Sequence, residues 1–522
     1  MAQPVVKGRR NAGAAALGLG ASRPLAVIDI GSNSGRVMVF RPETGGHLHV
    51  LAGSRASLRL VRSLDATGRI PEDALERAFE ALRDFAAIAR GSGVRRIVAA
   101  GTAALRDAAN GAAFIRRVRV ELGLSIRILS GVEEARCGFL GAVGGLPVDD
   151  GVLFDLGGGS LQVSRFRGRR LLGAVSVPLG ALRVSDAFLR SDPPSARELE
   201  KLKAHACATL AQAGIVPLGA AECVVGTGGT LRNLAKVDQR ASGYPIPRLH
   251  GYVLTRDRLR EVTATLAGTR LKRRARVPGL NADRRDSVVG GAVVIQGLLD
   301  ALRGDEVLVS GQGVREGLAL SLAQDALVPA DVVRRSSLDA LALRFAGWSR
   351  DRADRREAAA SALASAFEAW PSPELGETLR HAARVLDVGR TIDFFDRHEH
   401  VADLVLATDL AGFSHRQVAL LSAVVREAGD EDAPARSLAP LLRGDERDLL
   451  RRAAVLLALA DEITERCPPG SRVVLSCRLR GREATVSVGS LGSWGARGIG
   501  ERFERAFERR LRVVPGAASA RR

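Results

Sequence analysis

Two acids stand at equivalent places in two copies of one short pattern. Residues 25–40 read LAVIDIGSNSGRVMVF and residues 151–166 read GVLFDLGGGSLQVSRF. Laid on one another, Asp29 falls on Asp155, Gly31 on Gly157, Ser34 on Ser160, Val37 on Val163 and Phe40 on Phe166. Each copy is an apolar strand, an Asp-x-Gly step, a small turn ending in serine, and a second strand. Consecutive glycines give up packing and backbone order, so Gly157, Gly158 and Gly159 mark a turn that something must approach closely. A carboxylate on each side of a cleft suits a divalent cation held against phosphate oxygens, directly or through water. The plainer reading, an aspartate bonding its own turn amides, is common for a single copy. Repetition at matching positions favours the cation, so Asp29 and Asp155 are expected at a Mg²⁺ site.

Four loops combine glycine with hydroxyl side chains: residues 31–34, 101–106, 157–160 and 226–230. Each lies at a strand end or a helix start, where backbone N–H groups and the helix dipole face an anion. A Cβ there would hold a phosphate away from the amides. One such loop is weak evidence; several, in two related halves and paired with acids, describe a phosphate site. Ser32, Asn33 and Ser34 from the first turn and Gly157 to Ser160 from the third are expected to bind phosphate. Gly226, Thr227, Gly228, Gly229 and Thr230 complete the set.

The stretch LSGVEEARCGFLGAV places Glu133 and Glu134 in the first turn of a helix. Acids are favoured there by the helix dipole, which accounts for one of them. Its neighbour points in another direction, and near phosphate loops it can orient and deprotonate a water. Arg106 offers a planar fork for phosphate oxygens, against the plain alternative of one surface arginine among 72.

These residues need a scaffold, and the surrounding pattern supplies one. After the first hairpin and a third strand near HLHVLAGSR, residues 71–90 read as an amphipathic helix with Pro71 at its start and Gly91 past its end. Strand and helix then alternate through RRIVAAGTAALRDAAN, GAAFIRRVRVELG, SIRILSG and VEEARCGFLGAV, which predicts a mixed sheet with helices packed on it. The stretch GGLPVDDG reads as a linker. The second half repeats the order: hairpin, third strand RLLGAVSVPLG, a helix through SARELEKLKAHACATLAQAG, and ECVVGTGGTLRNLAKV. A helix, DSVVGGAVVIQGLLDAL, and a strand, EVLVSGQGVREGLAL, follow. From about Asp331 the chain turns to long Ala/Leu/Arg helices, with a short sheet at RVVLSCRLRGREATVSVG. The expected division is a disordered leader over 1–24, domains over 25–147 and 148–327, and a helical region over 328–522.

Composition narrows the partners. The 522 residues suit roughly three domains, and no apolar run approaches the roughly 20 residues of a membrane span. A net charge of +19 is carried almost wholly by arginine, with five lysines. One reading of it is a plain compositional bias toward Arg and Ala; the other is a surface suited to a polyanion. Aromatic residues make up 4%, which disfavours stacking on single-stranded nucleic acid. Five scattered cysteines without a CxxC pair argue for a reducing, cytoplasmic setting and against a cysteine metal site.

At these residues the chain resembles the exopolyphosphatase / guanosine pentaphosphate phosphohydrolase (Ppx/GppA) family, within the actin-like ATPase superfamily. The matching pieces, in order over about residues 25–320, are DIGSNSGRVMV, GTAALRDAAN, SGVEEAR, FDLGGGSLQV, VPLGALR, VGTGGTLRNLA, HGYVLT and VSGQGVREGL. The later DVGRTIDFFDRHEHVADLVLATDLAGFSHRQ resembles the helical region of the family's long members, related to HD-type phosphohydrolases. The resemblance implies an α/β fold of two actin-like (ribonuclease H-like) domains with mixed sheets, followed by a mainly helical HD-related region. It also implies hydrolysis of terminal phosphate from inorganic polyphosphate or guanosine pentaphosphate, with Glu134 as general base. Asp29 and Asp155 would stand at the metal, the glycine loops along the phosphate chain, and Arg106 beside it. A homodimer is a family-level expectation.

Two departures stand out. Where family members commonly carry an acid two residues after the serine of the glycine loop, this chain has Gln162; either metal affinity or rate is then reduced, or another acid such as Glu133 substitutes. In the helical region the His-Asp pair of an HD site is replaced by Leu386-Asp387, with His381, His398 and His400 nearby. That region is expected to be catalytically silent and to extend the polyphosphate channel or the dimer interface. Three alternatives follow: a hydrolase mainly for guanosine pentaphosphate, a polyphosphate or alarmone sensor with weak turnover, and a sugar kinase or chaperone-like ATPase. SGVEEAR argues against the last.

Overall fold

The computed structural model describes residues 23–43, 45–60, 67–322, 326–367, 373–430, 436–489, 491 and 494–516. The expected leader therefore lies outside the described residues up to 22, as does the basic C-terminal tail from 517.

By contacts the chain forms two units, one of the described residues up to Asp238 with Val253–Ser336, the other of Gln239–Tyr252 with the described residues from Ser337 onward. In the first unit, β1 (Leu25–Ile30), β2 (Ser34–Pro42), β3 (Leu48–Ser57), β4 (Arg96–Gly101) and β5 (Ile126–Ile128) form a sheet in the order β3-β2-β1-β4-β5. β1 runs antiparallel to β2 and parallel to β4. It is central and covered on both faces, which is why LAVIDI is nearly continuous apolar sequence instead of alternating. The amphipathic helix α1 (Glu72–Gly91) starts after Pro71 and buries Ala74, Leu75, Ala78, Phe79, Leu82 and Phe85 against this sheet.

The second sheet repeats the plan. β6 (Gly151–Leu156), β7 (Leu161–Arg167), β8 (Arg170–Val177), β9 (Cys223–Thr227), β10 (Tyr252–Thr255) and β11 (Glu306–Val309) lie in the order β10-β11-β9-β6-β7-β8. The repeat holds to the residue: Leu25 pairs with Phe40 as Gly151 does with Phe166, and Ile28 with Val37 as Phe154 does with Val163. Antiparallel hairpins followed by parallel strands in both halves make the two actin-like domains. HGYVLT contributes β10, a strand that its four residues of regular pairing are too short to announce.

Helices α2 (Gly131–Gly144) and α3 (Val314–Leu320) bind the two halves. A Cβ at Gly141 would overlap the Gly313 carbonyl, and one at Gly317 the Cys137 carbonyl. Only glycine allows backbones so close, and the crossing sets the start of α3 against the middle of α2.

The second unit is mainly helical, with a core of Leu338, Leu363, Leu379, Leu421, Leu456 and Ile463 among others. Its sheet, β12 (Leu475–Arg480), β13 (Glu483–Val488) and β14 (Arg510–Pro515), has a third strand not anticipated, because RLRVVP lies in a basic run. At its centre Arg356, fully buried, donates to Asp387 Oδ2 at 2.7 Å and meets Asp461 Oδ1 at 2.7 Å. Segment 239–252 belongs here too: Ile246 sits in the core, and Tyr244 Oη lies 3.1 Å from His415 Nδ1.

Candidate active site

Register places the two acids in matching settings: Asp29 lies opposite Arg36 across β1–β2, and Asp155 opposite Gln162 across β6–β7. The turns that follow are congruent. Gly31 N–H donates to the Ser34 carbonyl at 3.1 Å, and Gly157 N–H to the Ser160 carbonyl at 3.0 Å. Gly158 sits where one turn meets the other; a Cβ there would lie 3.4 Å from Ser32 Cβ and 3.5 Å from Asn33 Cβ. The run of glycines thus lets the two turns abut.

Both turns open onto one cleft of about 110 Å³. It is lined by Asp29, Ser32, Asn33, Ser34, Glu134, Asp155, Gly157, Gly158, Gly159, Ser160, Thr227, Gly228 and Gly229. Gly228 holds φ +103°, and a Cβ on it would strike the Leu156 carbonyl. Thr227 Oγ1 donates to the Gln312 carbonyl at 2.7 Å, tying the end of β9 to the turn before α3.

Glu134 reaches the cleft from the first turn of α2. Its Oε2 is buried without a hydrogen-bond partner, and Arg106 Nη1 stands 3.8 Å away. Burial pushes its carboxyl up to about 8, with repulsion from Asp155 and Asp29 added and the pull of Arg106 opposing. Burial also raises Asp155 to about 6, against the attraction of Arg232 and with Asp29 adding to it. Asp29 is raised by burial despite Arg315 and Arg36. Burial is thus the first cause of the raised value in all three carboxyl groups that face the cleft.

Four arginines line the same cleft: Arg36, Arg232, Arg284 and Arg315. Burial lowers Arg36 to about 9, and Arg315 and Arg232 lower it further by repulsion. Burial also lowers Arg284 to about 10 and lowers Arg232, whose Nη1 donates to the Gly311 carbonyl at 2.6 Å. Burial works against Arg315 too, but Glu316, Asp29 and Asp155 outweigh it and hold that guanidinium above its ordinary value. Crowded cations in a dry cleft favour a multiply charged anion between them.

None of these four arginines was singled out from sequence. Arg232 and Arg315 lie inside VGTGGTLRNLA and VSGQGVREGL, and Arg36 in the first hairpin, so the motifs carried them unremarked. Arg284, in NADRRDS, has no local signal.

Other expected residues take different places. Glu133 is the third residue of a capping box: its Oε2 accepts from the Ser130 N–H and Oγ at 2.9 Å each, and Arg127 pairs with its other oxygen. Those bonds from Ser130, then Arg127, hold its carboxyl down at about 2. It does not line the cleft. Arg106 donates to the Leu129 carbonyl at 3.0 Å and stands behind Glu134, outside the lining. Gly226 lies below the cleft, where a Cβ would run into Leu231 and Phe154, and Thr230 is fully buried against Gly291.

A cation fits this donor set. Among the described residues no three His, Cys, Asp or Glu come together closely enough to hold a metal alone. Mg²⁺ takes one or two carboxylates and fills its remaining positions with water and phosphate oxygens, and Asp29 and Asp155 supply two buried carboxylates that face the cleft.

Fold and cleft together define a phosphate-handling enzyme built on the actin-like plan. The comparisons with known proteins agree: the chain belongs to the Ppx/GppA phosphatase family. The model of that family matches residues 38–326, and the model of the family's domain III matches residues 333–467. The chain is 32% identical over 332 residues to exopolyphosphatase 1 of Mycobacterium tuberculosis, covering 63% of this chain and 96% of that protein. It is 32% identical over 317 residues to exopolyphosphatase 2 of the same organism, covering 57% and 98%. The crystal structure of the Aquifex aeolicus Ppx/GppA family member superposes with a TM-score of 0.51 at 27% identity, over 58% of this chain and 97% of that one. No helix among the described residues is long and apolar enough to cross a membrane.

Proposed function

We propose that the protein is a Mg²⁺-dependent exopolyphosphatase acting in the cytoplasm, with Glu134 as general base. The observation that carries this reading is the buried, unpartnered Oε2 of Glu134 in a cleft shared by Asp29, Asp155, two glycine-serine turns and four arginines. The amides of the turns and the guanidiniums of Arg36, Arg232, Arg284 and Arg315 bind and orient the terminal phosphate. Glu134 takes a proton from a water beside that phosphorus. The water oxygen bonds to phosphorus, the bridging P–O bond breaks, and the shortened chain leaves with the electron pair on its new terminal oxygen. Asp29 and Asp155 would hold Mg²⁺, which when bound would supply charge neutralisation at the phosphate oxygens.

Polyphosphate is favoured over guanosine pentaphosphate as main substrate because four arginines converge on the cleft, and a chain of phosphates offers charge at every unit. Removal of the terminal phosphate from guanosine pentaphosphate is a second activity of the same chemistry. The helical unit is read as non-catalytic: Asp387, which would be a metal ligand of an HD site, is held by Arg356 and Arg390.

The test is phosphate release by the full chain with Mg²⁺, from long-chain polyphosphate and guanosine pentaphosphate in parallel, with Glu134→Gln as control. The reading requires release that the substitution abolishes, faster from the polymer. Binding of polyphosphate without release would instead favour a sensor, the reading to which the uncharged Gln162 in the cleft points.

A further inference from the structure

Arg59 has an unusual backbone. It holds φ +53° without being glycine, in the left-handed region that residues with a side chain rarely adopt. A glycine would take that conformation freely, so the position serves the arginine side chain. Its backbone N–H and that of Leu58 donate to the Asn33 carbonyl at 3.0 and 2.9 Å. Asn33 belongs to the first phosphate turn and lines the cleft.

The side chain reaches into the other half of the unit. Arg59 Nη1 donates to Asp286 Oδ2 at 2.9 Å, and Nη2 to the Asp283 carbonyl at 3.1 Å. Arg55, on β3, pairs with the Asp283 carboxylate. Between these acids Arg284 points back, and the Asn33 side-chain oxygen, with the amide turned to face it, accepts from Arg284 Nη1 at 2.9 Å. Segments 55–59 and 283–286 thus interlock around Asn33. Asp286 Oδ1 is buried without a partner, so this carboxylate depends on Arg59.

We propose that Arg59 is a positioning residue for phosphate release: it clasps the two actin-like domains through Asp286 and Asp283, and through Asn33 holds the 32–34 turn against the 157–160 turn. The strained backbone aims the peptide N–H at Asn33 and the guanidinium at Asp286 at once. For its kinetic consequence the clasp rests on the proposed hydrolase activity; for its structural consequence it does not.

The experiment uses the full chain and three variants: Arg59→Gly, which suits the backbone but lacks the side chain; Asp286→Asn; and the exchanged pair Arg59→Glu with Asp286→Arg. Amide hydrogen exchange of the 32–34 and 157–160 turns is measured without ligand, beside the thermal midpoint and the kcat and KM for polyphosphate with Mg²⁺. Exchange in both turns is expected to quicken about tenfold in each single variant and to return to within about threefold of the native rate in the exchanged pair. The kcat falls and recovers in parallel, with KM changing less. Native exchange in both single variants overturns the proposal. So does faster exchange spread evenly over the whole unit and not rescued by the exchanged pair, which marks a merely structural residue. If the native protein releases no phosphate, the proposed function fails while the exchange measurements still decide the clasp.

Discussion

Asp155 faces Gln162 across β6–β7 at the position where Asp29 faces Arg36 across β1–β2. One domain thus sets a guanidinium opposite its acid, and the other a neutral amide. Gln162 is buried and donates from Nε2 to Ser160 Oγ at 2.7 Å. The second acid therefore sits beside a dipole where the first has a full charge.

Replacing Gln162 by Glu adds a negative charge next to Asp155. The expected outcome is half-maximal phosphate release at a Mg²⁺ concentration several-fold lower than in the native protein, since an added carboxylate raises cation affinity. A Mg²⁺ titration of both proteins checks it; equal midpoints would show that residue 162 does not sense the cation.

Glu134→Gln keeps the shape of the side chain and removes the base. Phosphate release is expected to fall by about 10²–10⁴-fold, with polyphosphate binding retained because the arginines and turns remain. Steady-state kinetics and a binding titration separate the two effects.

The same residue governs a pH dependence of stability. The Glu134 carboxyl is raised from 4.5 to about 8 in the cation-free cleft. A group raised on folding holds more protons in the native state, so its contribution is full below the unfolded value and is lost as pH rises through the folded one. Without divalent cation, the thermal midpoint is expected to decline between about pH 4.5 and 8, and Glu134→Gln to flatten that decline. Thermal scans across this range, with and without Mg²⁺, make the comparison.

The α2–α3 crossing tolerates no side chain. Gly141→Ala or Gly317→Ala would push a methyl into a backbone carbonyl, at a cost of about 1–3 kcal/mol or more. Since Glu134 and Arg315 ride on the first turns of these helices, activity should fall more than the loss of folded protein explains. Denaturant titration beside kinetics tests this.

In the helical unit, Arg356→Ala would leave Asp387 and Asp461 with less compensation in the interior. A loss of about 3–5 kcal/mol is expected, read as a lower unfolding midpoint, while the cleft chemistry of the remaining folded protein is unchanged.

The hairpins were legible because their requirements are local: an acid, a glycine and a serine in fixed order between apolar strands. Register followed from the same repeat. Glu134 was legible as one of a pair, yet only the capping box with Ser130 shows why Glu133 turns away. The arginines were not legible. A guanidinium's place in a cleft is set by long-range packing, and 72 arginines mask four. Arg59 was hidden for a similar reason, since a left-handed φ at a residue other than glycine leaves no mark on the sequence. The third strand of the small sheet, β14, was masked by its charges, which face solvent while Val513 packs inward.

Segment 239–252 carries a last consequence, for how the protein can be divided. It is interior to the hydrolase half in sequence, yet its Ile246 belongs to the helical core and its Tyr244 and Tyr252 rings pack on His415. Cutting the chain after residue 336 would strip this segment of its apolar neighbours and leave two aromatic rings and an isoleucine in water. The helical unit is therefore no detachable appendage: its fold includes fourteen residues that lie, in sequence, between the two parts of the other unit, and a shorter protein would have to redesign them.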